Sequence, residues 1–180
     1  MGVYRGQEYE ILDYGQDAQI NRVKNEYPDD LDTYVIGGNH DLAEYLRGGC
    51  DPIAQIANQR PDIHYLGKLS ATVELPHGAK MEIVHPDKGG SYALSYLPQR
   101  WVDNLEGGSK PNIVLFGHWH ISQYFDRRNI HTLTCGCFQG QTSYLKRKGI
   151  QPSIGGWLVE LTIADDGSVT RFKPEFVKFF

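Results

Sequence analysis

Three runs of this chain carry an apolar stretch that ends abruptly in side chains able to bind a metal ion. The first is Tyr34-Val35-Ile36-Gly37-Gly38-Asn39-His40-Asp41, the second Met81-Glu82-Ile83-Val84-His85, and the third Ile113-Val114-Leu115-Phe116-Gly117-His118-Trp119-His120. Neutral imidazole suits zinc, iron, nickel or manganese, and an amide oxygen suits the harder members of that set. A cation held this way polarises a phosphoryl oxygen and lowers the pKa of bound water. Two of them, about 3.5–4 Å apart, clamp both the attacking and the leaving oxygen. Asn39, His85, His118 and His120 are therefore the candidate metal ligands. They qualify if the three runs are strands whose carboxyl ends converge, because ligands collect there in α/β sheets.

The surrounding pattern supports strands at those places. Residues 33–36 are β-branched and aromatic and break at Gly37-Gly38. Residues 112–116 form a continuous apolar run that suits a strand buried on both faces. Residues 71–75 and 80–84 read as a hairpin around Pro76-His77-Gly78-Ala79, and 64–66 and 130–134 as further strands. A last hairpin joins 156–163 to 168–172 around Asp165-Asp166-Gly167. Helices are expected over 7–27, interrupted at Gly15, and over 42–47, 52–59 and 92–105, the last with Pro98 near its start. Ile20, Val23 and Tyr27 make the apolar stripe of the first, and Pro28-Asp29-Asp30 stops it. Strands alternate with helices and then close the chain. This predicts an α/β fold of mixed β-sheets flanked by helices.

The totals bound the class. With 180 residues, 40% of them apolar and 22% charged, the chain is expected to form a single soluble domain over 1–180. A net charge of -4 gives no global attraction to nucleic acid or to an anionic membrane. The three cysteines, Cys50, Cys135 and Cys137, do not describe a disulfide framework, and free thiols of a cytoplasmic protein are the simpler expectation. Met1-Gly2-Val3-Tyr4-Arg5 is not followed by a secretory apolar segment, and no apolar run is long enough to span a bilayer.

The order and spacing of Gly38-Asn39-His40-Asp41, a strand-terminal His85 and Gly117-His118-Trp119-His120 resemble the last three motifs of the calcineurin-like metallophosphoesterases. The resemblance spans Tyr4 to about Tyr144, and Cys135 to Thr142 is similar to the segment that follows the final motif. It implies a sandwich of mixed sheets and hydrolysis of phosphate mono- or diesters, nucleic acid among them, at two divalent metal ions (Mn, Fe, Zn or Ni). It implies that Asn39, His85 and His118 ligate one metal and His120 the other. His40 would contact the substrate phosphate or protonate the leaving oxygen, and Asp41 would orient His40.

Two motifs that open the family pattern, Asp-x-His and Gly-Asp, are not found ahead of residue 38, and 2–7 reads like the loop that follows the second of them. The expectation is thus a C-terminal portion of the domain, impaired as a catalyst by itself. The alternatives are a non-catalytic relative that binds a partner or nucleic acid, and a chain complemented by a separate N-terminal fragment. Asp62-Ile63-His64 has the Asp-x-His spacing, but Gln59-Arg60-Pro61 precedes it instead of an apolar strand, so a surface turn is the better reading. His77 and His131 are expected to be structural, and Trp119 to be packing or a pocket wall. Arg127, Arg128 and Lys146-Arg147-Lys148 are expected on the surface.

Overall fold

The structure is a computed structural model that describes residues 8–87 and 89–179. The loop expected at 2–7 and Lys88 in the turn after His85 lie outside the described residues. The chain divides into two compact units. One runs up to Ala71 and includes Thr142–Tyr144; the other comprises Thr72–Gln141 and the chain from Leu145 on.

In the first unit a 3-10 turn at Glu8–Glu10 precedes helix α1 (Gln16–Glu26), strand β1 (Thr33–Gly37), helices α2 (Asn39–Gly48) and α3 (Pro52–Ala57), and strand β2 (Ile63–Lys68). The strands pair in parallel, Thr33 opposite Ile63. The helix expected over 7–27 forms only beyond Gly15, whose φ of 85° is one that glycine adopts without strain; ahead of it, among the described residues, stands just the 3-10 turn. Ile20, Ile56 and Ile63 form the core, with Val23, Val35 and Ala57 against it. Tyr27 does not join the stripe of Ile20 and Val23. It caps α1 in extended backbone and is largely exposed, because the residue before a proline is driven out of the helical region. The guanidinium of Arg60 covers this helix end by donating to the carbonyls of Lys24, Tyr27 and Pro28.

Helix α2 begins three residues ahead of the expected start. The Asp41 carboxylate accepts a hydrogen bond from Gly38 N (2.8 Å), so Asn39, His40 and Asp41 form the first helical turn and not a loop. Asp51 caps α3 in the same way, its Oδ1 accepting from Ile53 N and Ala54 N, with Pro52 at the first helical position.

The second unit is built on a five-stranded mixed sheet. Its strands are β3 (Ser70–Glu74, in this unit from Thr72), β4 (Lys80–Val84), β5 (Ile113–Phe116), β6 (Gln123–Arg127) and β7 (Ile130–Thr134), in the order β3-β4-β5-β7-β6. β4, β5 and β7 run parallel, and β6 is antiparallel to β7. Central β5 buries Ile113, Val114 and Phe116 almost completely, as its unbroken apolar run predicts. Parallel neighbours need a crossover, and helix α4 (Tyr96–Asp103) lies between β4 and β5, with buried Pro98 in its first turn. β6 was not apparent in the sequence. Its Gln-Tyr-Phe-Asp-Arg is a polar edge strand, joined to β7 by Arg128 and Asn129 at φ of 57° and 58°, a two-residue turn of the kind that matches strand twist.

A short helix α5 (Ser143–Arg147) leads to the exposed Lys146-Arg147-Lys148 run, and the hairpin of β8 (Gly155–Ile163) and β9 (Val169–Lys178) closes the chain. β9 runs six residues past its expected end and tolerates Pro174 because it has a single partner strand. Phe172 stacks on His131 (4.1 Å between centroids) and on Tyr124 (5.3 Å), and Trp157 Nε1 donates to Thr134 O. The hairpin thus packs a two-stranded antiparallel sheet on β6 and β7, so of the mixed sheets expected only the five-stranded one is mixed. Among the described residues no helix is long and apolar enough to cross a membrane, and the three cysteines are free thiols.

Candidate metal centre

Val84 and Phe116 are register partners on parallel β4 and β5, so the residues that follow them leave the sheet side by side. Gly117 N donates to Val84 O (2.9 Å) and fixes the spacing of the two exits. His85 and His118 meet there: His118 Nδ1 is 3.1 Å from His85 Nε2, with the rings edge to face. Gly117 leaves room for this, since a Cβ at 117 would stand 3.3 Å from His85 Nδ1. Two imidazole nitrogens on one tetrahedral zinc, each about 2.0–2.1 Å from the ion, stand roughly 3.3 Å apart. The pair is near that geometry, and equally near a hydrogen bond in which one ring donates and the other accepts.

The Gly117-His118-Trp119-His120 turn is strained. His118 and His120 have φ of 73° and 58°, in the left-handed region that non-glycine residues avoid. Each such residue costs on the order of 1–3 kcal/mol and persists where neighbouring structure enforces it. Trp119 N donates to Gly117 O, and the Trp119 ring packs on Phe116 (5.5 Å) against the core of Val84, Val102, Val114 and Ile130. Trp119 is therefore a packing residue. His120 O accepts from Ser153 N (2.7 Å), and Ser122 N donates to Ser153 Oγ (3.0 Å). Ser153 was missed in the sequence, where nothing marks a serine 33 residues beyond His120 as part of this turn.

His120 Nδ1 is buried and has no hydrogen-bond partner among the described residues. Burial, and then the neighbouring His118, hold its imidazole below the ordinary histidine range. A neutral ring with an orphaned buried nitrogen suits a cation, which would satisfy the lone pair. Among the described residues no group of three or more His, Cys, Asp or Glu is gathered closely enough to hold an ion without rearrangement.

His85, His118 and His120 belong to the second unit; Asn39, His40 and Asp41 belong to the first. All three first-unit residues are half-buried in the opening turn of α2. Behind them Tyr65 Oη donates to Asp51 Oδ2 (2.7 Å) and stands 3.9 Å from where a Gly37 Cβ would be.

Other candidates resolve into structural roles. Asp62 takes two hydrogen bonds from Arg60 and ends a turn, and Ile63 and His64 open β2, with His64 Nε2 3.0 Å from Asp32. His77 sits in the β3–β4 turn, and His131 is stacked under Phe172. Arg127 pairs with Asp103 at the surface. Arg128 does more than line the surface: its Nη1 donates to the carbonyls of Val102, Asp103 and Leu105 and closes the end of α4. Burial pushes the Cys135 thiol up to about 11, so without a metal it is protonated at neutral pH.

No protein-family model matches the chain. It is 27% identical over 189 aligned residues to the DNA polymerase II small subunit of Methanocaldococcus jannaschii, an alignment that covers 85% of this chain and 31% of that protein. It is 25% identical over 191 residues to the same subunit of Methanothermobacter thermautotrophicus, covering 86% of this chain and 39% of that protein. The chain thus spans about a third of the length of these relatives. Among solved structures, a conserved uncharacterised protein of Streptococcus pneumoniae, described as a predicted phosphoesterase, aligns at a TM-score of 0.47 with 13% identity, over 88% of this chain and 89% of that one. In the motifs that end its strands this chain is similar to the calcineurin-like metallophosphoesterases, and along most of its length it is similar to the small subunits of archaeal DNA polymerase II.

Proposed function

We propose that His85 and His118 bind one divalent cation and His120 a second, and that the chain serves metal-dependent hydrolysis of phosphate mono- or diesters. The observation that carries this reading is the meeting of His85 and His118 at 3.1 Å, at the carboxyl ends of two paired parallel strands. The strained turn that presents His118 and His120, and the orphaned His120 Nδ1, support it. When bound, such a cation polarises a phosphoryl oxygen and makes its water a better nucleophile. The chain's own part is to hold the imidazoles neutral and aimed, which burial does for His120. Motif order assigns Asn39 to the ligands and His40 to the substrate phosphate or the leaving oxygen, with Asp41 orienting His40. Asp41 accepts from Gly38 N, so it also pins the turn that carries them. Mn, Fe, Zn and Ni all suit such ligands, and the family pattern has two ions.

A second reading is favoured by the sequence relatives, both of them polymerase subunits: a non-catalytic module that binds a partner protein or nucleic acid. One experiment separates the two. The chain is loaded with Mn2+ or Zn2+, its metal content measured, and its hydrolysis of bis-p-nitrophenyl phosphate followed. Metal uptake with turnover, both lost in His118→Ala, supports hydrolysis. Uptake without turnover points to the subunit role, and no uptake ends the metal reading.

A further inference from the structure

We propose that Ser153 is a positioning residue that locks the His118-Trp119-His120 turn in its left-handed conformation. This deepens the cation-binding reading and rests on it for its consequence at the metal. Two left-handed histidines in three residues need an outside constraint. Ser153 supplies one from across the second unit. Its amide donates to His120 O at 2.7 Å, and its hydroxyl accepts from Ser122 N at 3.0 Å, so one residue grips the turn at its last histidine and two residues beyond.

The backbone of Ser153 is itself held without help from its hydroxyl. Its carbonyl accepts from Cys137 N (2.9 Å), Gly155 N donates to Cys137 O (2.9 Å), and Cys137 and Ile154 form a parallel bridge. Gly136 lies directly on the Ser153 carbonyl, where no Cβ could fit. The hydroxyl is therefore spare for fixing the chain where it leaves the histidine turn. Partners that orient a metal-binding histidine typically change affinity by about 10–100-fold when removed. The same scale applies here to a group that sets the backbone carrying two of them.

The test uses Ser153→Ala, Ser153→Thr and the unaltered chain, with two readouts. Hydrogen exchange at the Ser122 amide is followed by NMR in the absence of metal, and Zn2+ affinity is followed by calorimetry. The expected result is faster Ser122 exchange and about tenfold weaker Zn2+ binding in Ser153→Ala, both restored in Ser153→Thr, with the unfolding midpoint little changed. Ser122 exchange that is the same in Ser153→Ala and the unaltered chain overturns the proposal, whatever the zinc result. Altered exchange with unaltered Zn2+ affinity overturns the role at the metal. If the unaltered chain takes up no Zn2+, the cation reading fails by itself, and the exchange rates still decide whether Ser153 holds the turn.

Discussion

His118 Nδ1 and His85 Nε2 stand 3.1 Å apart although 33 residues separate them in the chain. The parallel pairing of β4 and β5 brings them together, and the glycine between Phe116 and His118 leaves room for both rings. Gly117→Ala would place a methyl 3.3 Å from His85 Nδ1, close enough that the ring must give way by a few tenths of an ångström. The expected outcome is about tenfold weaker Zn2+ binding by calorimetry with an unchanged far-UV circular dichroism spectrum.

Glu82 gives the second unit a pH dependence of known sign. It lies on β4, where burial raises its carboxyl above the ordinary range and a hydrogen bond with Trp101 works the other way. The folded state therefore holds this proton more tightly than the unfolded chain. The stability it contributes is full below the ordinary glutamate pKa, about 4.3, and is lost as pH rises through the raised folded value. Glu82→Gln removes this loss. Thermal unfolding should show the variant gaining on the unaltered protein as pH rises from about 4 to 7, with the gap smallest at the acid end.

Gly155 has a φ of 150°, and a Cβ there would collide with the Val177 carbonyl on the partner strand and press on Phe176. Any side chain must move β8 from β9. Gly155→Ala should destabilise by more than about 2 kcal/mol in urea denaturation, as strain at a special backbone position does.

Arg128 Nη1 donates to three carbonyls at the end of α4. Arg128→Ala would leave them short of donors and should cost about 1–3 kcal/mol, read as a lower urea midpoint with an unchanged slope. Arg127→Ala, at an exposed pair with Asp103, should cost less than about 1 kcal/mol in the same experiment.

The parts legible in the sequence were those with strong local signals. The apolar run before Gly117 marked β5, and residue types at strand ends pointed to His85 and His118, which the structure brings together. Weak local signals hid the rest. β6 alternates a few aromatic and polar residues with too little apolar content to stand out, and its turn of Arg128 and Asn129 lacks the usual glycine. Tyr27 fits the helical period, yet Pro28 ends the helix before it. Ser153 and Arg128 act through backbone groups far away in sequence, and residue type says nothing about which carbonyl or amide a side chain will reach. Asn39, His40 and Asp41 were placed by motif, and the capping bond from Gly38 to Asp41 explains why they open a helix.

The most direct test is an anomalous difference map from a crystal of this chain grown with Zn2+. The account predicts a peak within bonding distance, about 2.0–2.1 Å, of a ring nitrogen from each of His85 and His118. A map with no peak beside those rings, or with zinc held only elsewhere on the surface, would contradict it.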